Sequence, residues 1–362
     1  MTDAVIPIHA IKGRGTATRM PHRFEKDVRG AWDDGWGTLQ DAANADVSRL
    51  ETELRFEDAK SAISRNDSPD IHFDYSVNPY RGCEHGCVYC FARPTHSYLN
   101  LSPGLDFETK IIAKRNVVDA LRADLGKRSY VPRLLNIGSA TDCYQPAERE
   151  LKLTRGLIAL MQEVRHPFSL VTKSSGVERD LDLIALMAAD KLAAVYITIT
   201  TLDGELARKL EPRAAAPHRR LRTIETLVAA GIPVGVSVAP QIPFVNEDME
   251  QVLEAAWQAG ARSAFYTVVR LPWEVAPIFK EWLELHYPQR AARIMARIQD
   301  MRGGKDYDSD FSTRMKGSGL WADLIRQRFE KTCARLGFNR ERIELDLSAF
   351  SPPGVAGQGK LF

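Results

Sequence analysis

The sequence has few cysteines, no long apolar run and almost no net charge. Five cysteines in 362 residues, an odd number, argue against a disulfide framework, and residues 1–10 lack the basic and apolar stretches of a signal peptide. No apolar run approaches the length of a membrane span, so we expect no membrane contact. A net charge of +2 implies no general attraction to polyanions. We therefore expect a protein in a reduced, cytoplasmic setting.

Three of the five cysteines lie in one stretch, residues 78–90, with the sequence NPYRGCEHGCVYC. Cys83, Cys87 and Cys90 have the spacing C-x-x-x-C-x-x-C, so three thiolates on one turn can each bind one iron of a cubane cluster. The fourth iron has no cysteine from this run, and an open iron can bind oxygen or nitrogen of a small molecule. The spacing therefore predicts a catalytic 4Fe–4S cluster rather than a closed electron-transfer cluster.

A structural zinc site is the alternative for the same cysteines. His85 or His96 could complete a tetrahedral set of four ligands. Zinc sites usually draw on paired C-x-x-C units, however, and no second C-x-x-C follows in this sequence. The remaining cysteines, Cys143 and Cys333, are far away along the chain. The pattern favours the iron–sulfur cluster and leaves zinc as the second interpretation.

Strand-like and helix-like segments alternate regularly after the cysteine run. Short runs rich in branched residues, such as 194–199, are separated by helical stretches of ten or more residues, such as 219–230. This alternation is typical of right-handed βαβ units with a parallel sheet, and it contains about six units. We therefore predict an α/β fold, a partial (β/α)6 TIM-like barrel with its site at the C-terminal ends of the strands. The cysteine run follows the first strand, at that same face.

The chain is predicted to have four regions. Trp32 and Trp36 indicate that part of the first region docks on the protein, because exposed tryptophan is costly, and its basic residues between Arg14 and Arg29 can alternatively contact phosphate. The regions are a basic, largely irregular N-terminal extension (1–70), the partial-barrel core (71–272), a helical C-terminal extension (273–350) and a disordered tail (351–362).

The cysteine run, placed after the first strand of a βα series, resembles the radical SAM superfamily over about residues 74–271. Further stretches resemble the branch related to spore photoproduct lyase, a DNA repair enzyme, and in particular an uncharacterised bacterial group within it. They include SPGLDFE at 102–108, TDCYQPAE at 141–148 and LEP at 210–212. The resemblance implies that the open iron binds S-adenosylmethionine (SAM), and that reductive cleavage of SAM yields a 5′-deoxyadenosyl radical that abstracts hydrogen from a substrate. It also implies an electron donor such as flavodoxin or ferredoxin.

The resemblance assigns roles to several residues near the strand ends. Tyr89 matches the aromatic position beside the adenine of SAM. Thr141 and Asp142 stand where many relatives have Gly-Gly-Glu to hold the amino group of SAM, although an aspartate there can equally cap the next helix. Lys173 matches the lysine that neutralises the SAM carboxylate in the lyase. Thr198 can reach the ribose hydroxyls, although a threonine inside a barrel is often simple packing.

Two more residues are candidates through the same resemblance. Arg220 matches an arginine in the Glu-Pro…Arg segment of the lyase, with a surface salt bridge as the alternative role. Cys143 lies at the strand-end face, where its thiol could donate a hydrogen atom to a product radical. A second alignment places residues 139–141 at that position, with alanine in place of the cysteine of the lyase.

Three functions compete at this stage. The first is an enzyme that cleaves SAM reductively; the second is an iron–sulfur electron-transfer or sensing protein that does not cleave SAM. The third is a zinc-stabilised nucleic-acid-binding module. DNA or RNA is suggested as a partner by the lyase resemblance and by local basic patches such as 208–222 and 290–316. Fold and cofactor alone do not specify the substrate.

Overall fold

Strands and helices alternate along the computed structural model, which describes residues 10–25 and 50–354. Branched side chains favour strands because they pack well on a pleated surface, and the central strands are almost completely buried. Ten strands occur in the described residues. They are Glu53–Glu57 (β1), Ile63–Arg65 (β2), Tyr75–Val77 (β3), Tyr80–Arg81 (β4), Lys110–Lys114 (β5), Leu135–Ile137 (β6), Phe168–Thr172 (β7), Ala193–Thr198 (β8), Val234–Gln241 (β9) and Ser263–Val268 (β10).

Amphipathic segments form the helices that cover the sheet. Between β6 and β7, for example, Leu157, Ile158 and Met161 share one helix face and are completely buried in the main core. The part of the chain that the structure describes has eleven α-helices. They are Leu105–Thr109 (α1), Val117–Leu125 (α2), Glu148–Leu151 (α3), Leu153–Glu163 (α4), Leu181–Ala189 (α5), Gly204–Leu210 (α6), Pro217–Ala229 (α7), Met249–Gln258 (α8), Val275–His286 (α9), Ala291–Asp300 (α10) and Gly319–Leu336 (α11).

Six parallel strands make up the centre of the main sheet. The order is β10-β9-β8-β7-β6-β3-β2, and all neighbours are parallel except β2, which pairs antiparallel with β3. At least one helix follows each parallel strand, so the arrangement is (β/α)6. The predicted α/β fold with a partial barrel is confirmed. Among the described strands β10 and β2 are edges, and the sheet does not close.

The terminal regions pack on this core. β1, β5 and β4 form a separate three-stranded sheet, and β2 joins the main sheet, so the predicted irregular extension contains two strands. Apolar residues of α9 and α10 share one buried cluster with the cysteine run, and α11 packs on α8. Trp32, Trp36 and residues 355–362 of the predicted tail lie outside the described residues. No helix in the described ranges is long and apolar enough to span a membrane.

Candidate functional site

The cysteine loop, residues 78–90, leaves the C-terminal end of β3 and is fixed by backbone bonds to distant elements. The amide of Cys83 donates to the Phe107 carbonyl at 2.9 Å, and the amide of Val88 donates to the Leu210 carbonyl at 3.1 Å. Cys83 and Cys87 are buried, whereas Cys90 is partly exposed. The three thiols therefore lie on one restrained loop at the edge of the sheet where the strands end.

Arg93 holds the cysteine loop from within the protein, and the sequence analysis did not identify it. Its side chain is completely buried and donates hydrogen bonds to the carbonyls of Gly86 (3.1 Å) and Cys87 (2.9 Å). It also donates to two carbonyls of the segment 103–104 and to the carboxylate of Glu108, at 2.6 Å. Two of these five bonds hold the backbone between the first and third cysteines, and the other three connect it to residues 103–108, one of them through a buried carboxylate.

The N-terminal strap, residues 13–24, lies directly on this loop. The amide of Gly15 donates to Glu108 at 2.9 Å, and the amide and hydroxyl of Thr16 donate to the same carboxylate at 3.1 and 3.0 Å. A Cβ on Gly15 would lie 1.8 Å from the carbonyl oxygen of Gly86, so only glycine allows this approach. The strap and Arg93 thus share Glu108 as their common acceptor.

The basic residues of the strap are engaged with the protein. Arg14 donates to the Glu108 carbonyl at 2.8 Å, Arg19 pairs with Asp106 at 2.9 Å, and Arg23 pairs with Glu274 at 2.8 Å. Of the two interpretations of this segment, docking therefore describes residues 13–24, because the arginines already have acceptors.

The donor set of the loop fits a cubane cluster. Burial raises the pKa of Cys87 to about 12 and that of Cys83 well above its ordinary value, so a metal centre is needed to stabilise their thiolates. Both histidines of the zinc alternative have other neighbours. His85 Nδ1 lies 3.3 Å from Asp142 Oδ2, and His96 Nε2 lies 3.1 Å from the Lys110 carbonyl. Within residues 10–25 and 50–354, no three His, Cys, Asp or Glu side chains are placed to hold a single metal ion.

Thr141 and Asp142, after β6, connect the cysteine loop to β7. Asp142 accepts the Thr172 hydroxyl and the Lys173 amide, both at 2.7 Å, and Thr141 donates to the Tyr80 carbonyl at 3.1 Å. Burial alone would raise the pKa of Asp142, but the neighbouring His85 and these donors lower it below its ordinary value. The structure thus brings Thr141 and Asp142 to the predicted strand end, where Asp142 is a buried carboxylate with several donors.

A second buried carboxylate, Glu211, gathers Tyr89, Thr200 and Arg220 around it. The hydroxyls of Tyr89 and Thr200 and one guanidinium nitrogen of Arg220 all donate to it. Burial raises the pKa of Glu211, but Arg220 and then Lys173 reverse this effect and bring it to about 2. The sequence analysis missed this residue, although the Leu-Glu-Pro stretch at 210–212 was a signal. We call Tyr89, Lys173, Thr200, Glu211 and Arg220 the Glu211 cluster.

The two cations of the Glu211 cluster, Arg220 and Lys173, differ in their hydrogen-bond acceptors. Arg220 is buried, and its other nitrogens donate to the carbonyls of Ala215 (2.7 Å) and Thr198 (3.0 Å). Lys173 is half-buried, its Nζ lies 5.9 Å from the centre of the Tyr89 ring, and the described residues provide no hydrogen-bond acceptor for it. Arg220 therefore positions Glu211, whereas Lys173 retains a charge available to a ligand.

Thr198 and Cys143 occupy buried positions. Thr198 ends β8 with a buried side chain, and its carbonyl accepts Arg220. Cys143 belongs to the main hydrophobic core, with no exposed surface and its Sγ 3.9 Å from the Ile137 carbonyl. Burial raises the pKa of the Cys143 thiol well above its ordinary value. Its role as a hydrogen-atom donor stays a prediction.

Six parallel strands, each followed by a helix, with three cysteines in the loop after the first of them, define an α/β protein with an open partial barrel. The sequence model of the Radical SAM superfamily matches residues 77–256. An uncharacterised protein of Mycobacterium tuberculosis is 36% identical over 238 residues, covering 65% of this chain and 70% of the relative. One of Methanocaldococcus jannaschii is 28% identical over 215 residues, covering 59% and 77%. The chain belongs to the radical SAM superfamily.

Solved structures show a likeness in fold. Spore photoproduct lyase complexed with dinucleoside spore photoproduct superimposes with a TM-score of 0.50 at 17% sequence identity, over 78% of each chain. A second structure of that lyase, a cysteine-to-serine mutant, gives the same TM-score at 18% identity and covers 86% of this chain and 84% of its own. At this level of identity the likeness concerns the arrangement of strands and helices.

Proposed function

We propose that this protein binds a 4Fe–4S cluster through Cys83, Cys87 and Cys90 and cleaves SAM reductively to act on a substrate. When bound, the cluster supplies the electron that converts SAM to methionine and a 5′-deoxyadenosyl radical, which removes hydrogen from the substrate. The observation that carries the proposal is the set of three cysteines on a restrained loop beside the strand ends, in a chain of the radical SAM superfamily.

The side chains around the loop have separate tasks in this proposal. Lys173, which has no acceptor among the described residues, binds the carboxylate of SAM. Asp142, with Thr141 beside it, would accept the amino group, and Thr198 would bind the ribose hydroxyls. Tyr89, whose hydroxyl is held by Glu211, would contact the adenine.

Arg220 acts through another residue in this scheme. Its guanidinium group holds Glu211, and Glu211 in turn orients Tyr89 and stabilises the positive charge of Lys173. The strap and the apolar cluster of α9 and α10 keep water away from the buried side of the cysteine loop, which protects the reaction.

The reaction needs an electron donor such as flavodoxin or ferredoxin. The lyase of similar fold is bound to a dinucleoside, which favours a nucleic-acid substrate, DNA or RNA, as part of the proposal. Hydrogen return from Cys143 is a further step that a Cys143→Ala variant tests. An unchanged product distribution in that variant would remove the cysteine from the mechanism.

Anaerobic reconstitution of the whole protein tests the proposal. We expect a brown protein with iron and sulfide, which releases 5′-deoxyadenosine from SAM in the presence of dithionite. Cys87→Ser should lose both properties, and Cys333→Ser, a buried cysteine in α11, is the matched control that should keep them. A colourless protein containing zinc would refute the proposal, and a brown protein without SAM cleavage would favour the electron-transfer or sensing function.

A further inference from the structure

Arg270 is an arginine without an acceptor among the described residues, at the open side of the partial barrel. It follows the C-terminal end of β10, and its guanidinium carbon lies 4.5 Å from the centre of the Phe91 ring. Phe91 directly follows Cys90 and is 46% exposed. The described residues offer Arg270 no salt-bridge or hydrogen-bond acceptor, and its side chain is half-buried. Solvent can therefore reach a cation that is stacked beside the cysteine loop.

A second guanidinium group lies next to Arg270. Arg302 is 2% exposed and donates to the carbonyl of Val269, the residue before Arg270, at 2.8 Å, and to the carbonyl of Thr313 at 3.0 Å. Its Nε is buried and has no partner among the described residues. An unpaired buried donor on a cation costs free energy, because neither water nor protein satisfies it.

The remaining charges around the pair do not neutralise it. Arg314 is occupied by Asp70 in two bonds of 2.6 and 2.7 Å. Asp308 is a half-buried carboxylate that accepts the Thr313 hydroxyl and the Asp310 amide. Burial and the neighbouring charge of Arg270 lower the pKa of Arg302 to about 10, and Asp308 and Tyr307 oppose this effect only in part.

Two neighbouring cations, of which Arg270 has no acceptor among the described residues, favour the binding of an anion. Arginine binds phosphate through its fork of N–H groups, and a half-buried site strengthens such bonds relative to water. We propose that Arg270, beside Phe91 and with the buried charge of Arg302 behind it, forms a subsite for a phosphate group of the substrate. The subsite rests on the proposed function, because a substrate must lie beside the cysteine loop for radical chemistry. The phosphate can belong to a nucleic-acid strand or to a free nucleotide.

A binding measurement tests the subsite without requiring turnover. Fluorescence anisotropy of labelled hexathymidylate, with anaerobically reconstituted full-length protein, gives a Kd for wild type and for Arg270→Gln. Arg262→Gln is the matched control, because Arg262 flanks the other end of β10 and also stacks on an aromatic ring, at 4.1 Å from Trp257. Losing the charge-assisted bonds of one arginine should raise the Kd about tenfold or more in Arg270→Gln alone.

Two further measurements test whether binding needs the phosphate charge and identify the source of the phosphate. An uncharged methylphosphonate hexathymidylate should bind wild type as weakly as the charged strand binds Arg270→Gln. If thymidine monophosphate competes at a concentration near its own Kd, the subsite serves a free nucleotide, and if only the strand binds, it serves a nucleic acid. Both results support a phosphate subsite.

Three results would overturn it. They are no binding of either probe to wild type, equal Kd values for the two variants, and a loss of SAM binding in Arg270→Gln with hexathymidylate binding unchanged. The last would assign the arginine to the SAM carboxylate. A failure of SAM cleavage with normal probe binding would instead refute the proposed function and leave the subsite in place.

Discussion

Replacing Glu108 by glutamine should make the region around the cysteine loop easier to unfold, because this carboxylate is the common acceptor of Arg93 and the N-terminal strap. Both Glu108 and Arg93 have fully buried side chains, 2.6 Å apart. Glutamine keeps the size but presents an NH2 group, so Arg93 becomes a buried charge without its counterion. Removing one partner of a buried pair costs about 3–5 kcal/mol, out of the roughly 5–15 kcal/mol typical of a folded protein.

Urea unfolding of the anaerobic protein, followed by circular dichroism, measures this loss. The matched control is Glu163→Gln, which breaks the solvent-exposed pair of Glu163 with Arg122, in which both side chains are at least 42% exposed. An exposed pair contributes below about 1 kcal/mol, so the control should lose little. Limited proteolysis should also cut the strap faster in Glu108→Gln. Equal free energies of unfolding for the two variants would refute the idea that the buried pair holds the loop.

Single contacts lead to three further predictions. Gly15→Ala should detach the strap at a cost of about 1–3 kcal/mol, because its Cβ would lie 1.8 Å from a carbonyl oxygen; Gly204→Ala, with open space around it, is the control in proteolysis. Burial lowers the pKa of His166 to about 4, so as pH falls the unfolded chain binds a proton at this residue before the folded protein does. The free energy of unfolding should therefore fall by about 3 kcal/mol between pH 6.5 and pH 4. His166→Gln should flatten this pH dependence of urea unfolding. Arg220→Met should lower the free energy of unfolding by about 3–5 kcal/mol, because it leaves the buried carboxylate of Glu211 without its salt bridge. A second change, Glu211→Gln, should restore part of this loss. A double variant no more stable than Arg220→Met would contradict this pairing.

Local sequence patterns were sufficient to predict the central fold. Runs of branched residues such as 194–199 form strands, and amphipathic stretches such as 219–230 form helices, because both signals are carried by neighbouring residues. The spacing of the cysteines and their place after the first strand located the loop at the C-terminal edge for the same reason. Short, largely exposed strands with several charged side chains, such as Glu53–Glu57, gave no such signal.

The contacts that hold the site could not be predicted in this way. Arg93 and Glu108 are charged residue types that usually lie on the surface, so nothing local indicates that both are completely buried. Glu108 accepts from Gly15 across 93 positions of the chain, and Tyr89 reaches Glu211 across 122. Such pairs depend on the complete fold, and only the Leu-Glu-Pro stretch hinted at Glu211.

Two cations near the cysteine loop have no hydrogen-bond acceptor among the described residues, and we propose that they bind different ligands. Among the described residues neither Lys173, after β7, nor Arg270, after β10, has a hydrogen-bond acceptor. Lys173 Nζ lies 5.9 Å from the centre of the Tyr89 ring, and the Arg270 guanidinium carbon lies 4.5 Å from the centre of the Phe91 ring, so both cations border the loop. Three strand spacings of about 4.8 Å separate β7 from β10, or roughly 14 Å along the sheet. In the proposed function this arrangement suits a cofactor anion at Lys173 and a separate substrate anion at Arg270.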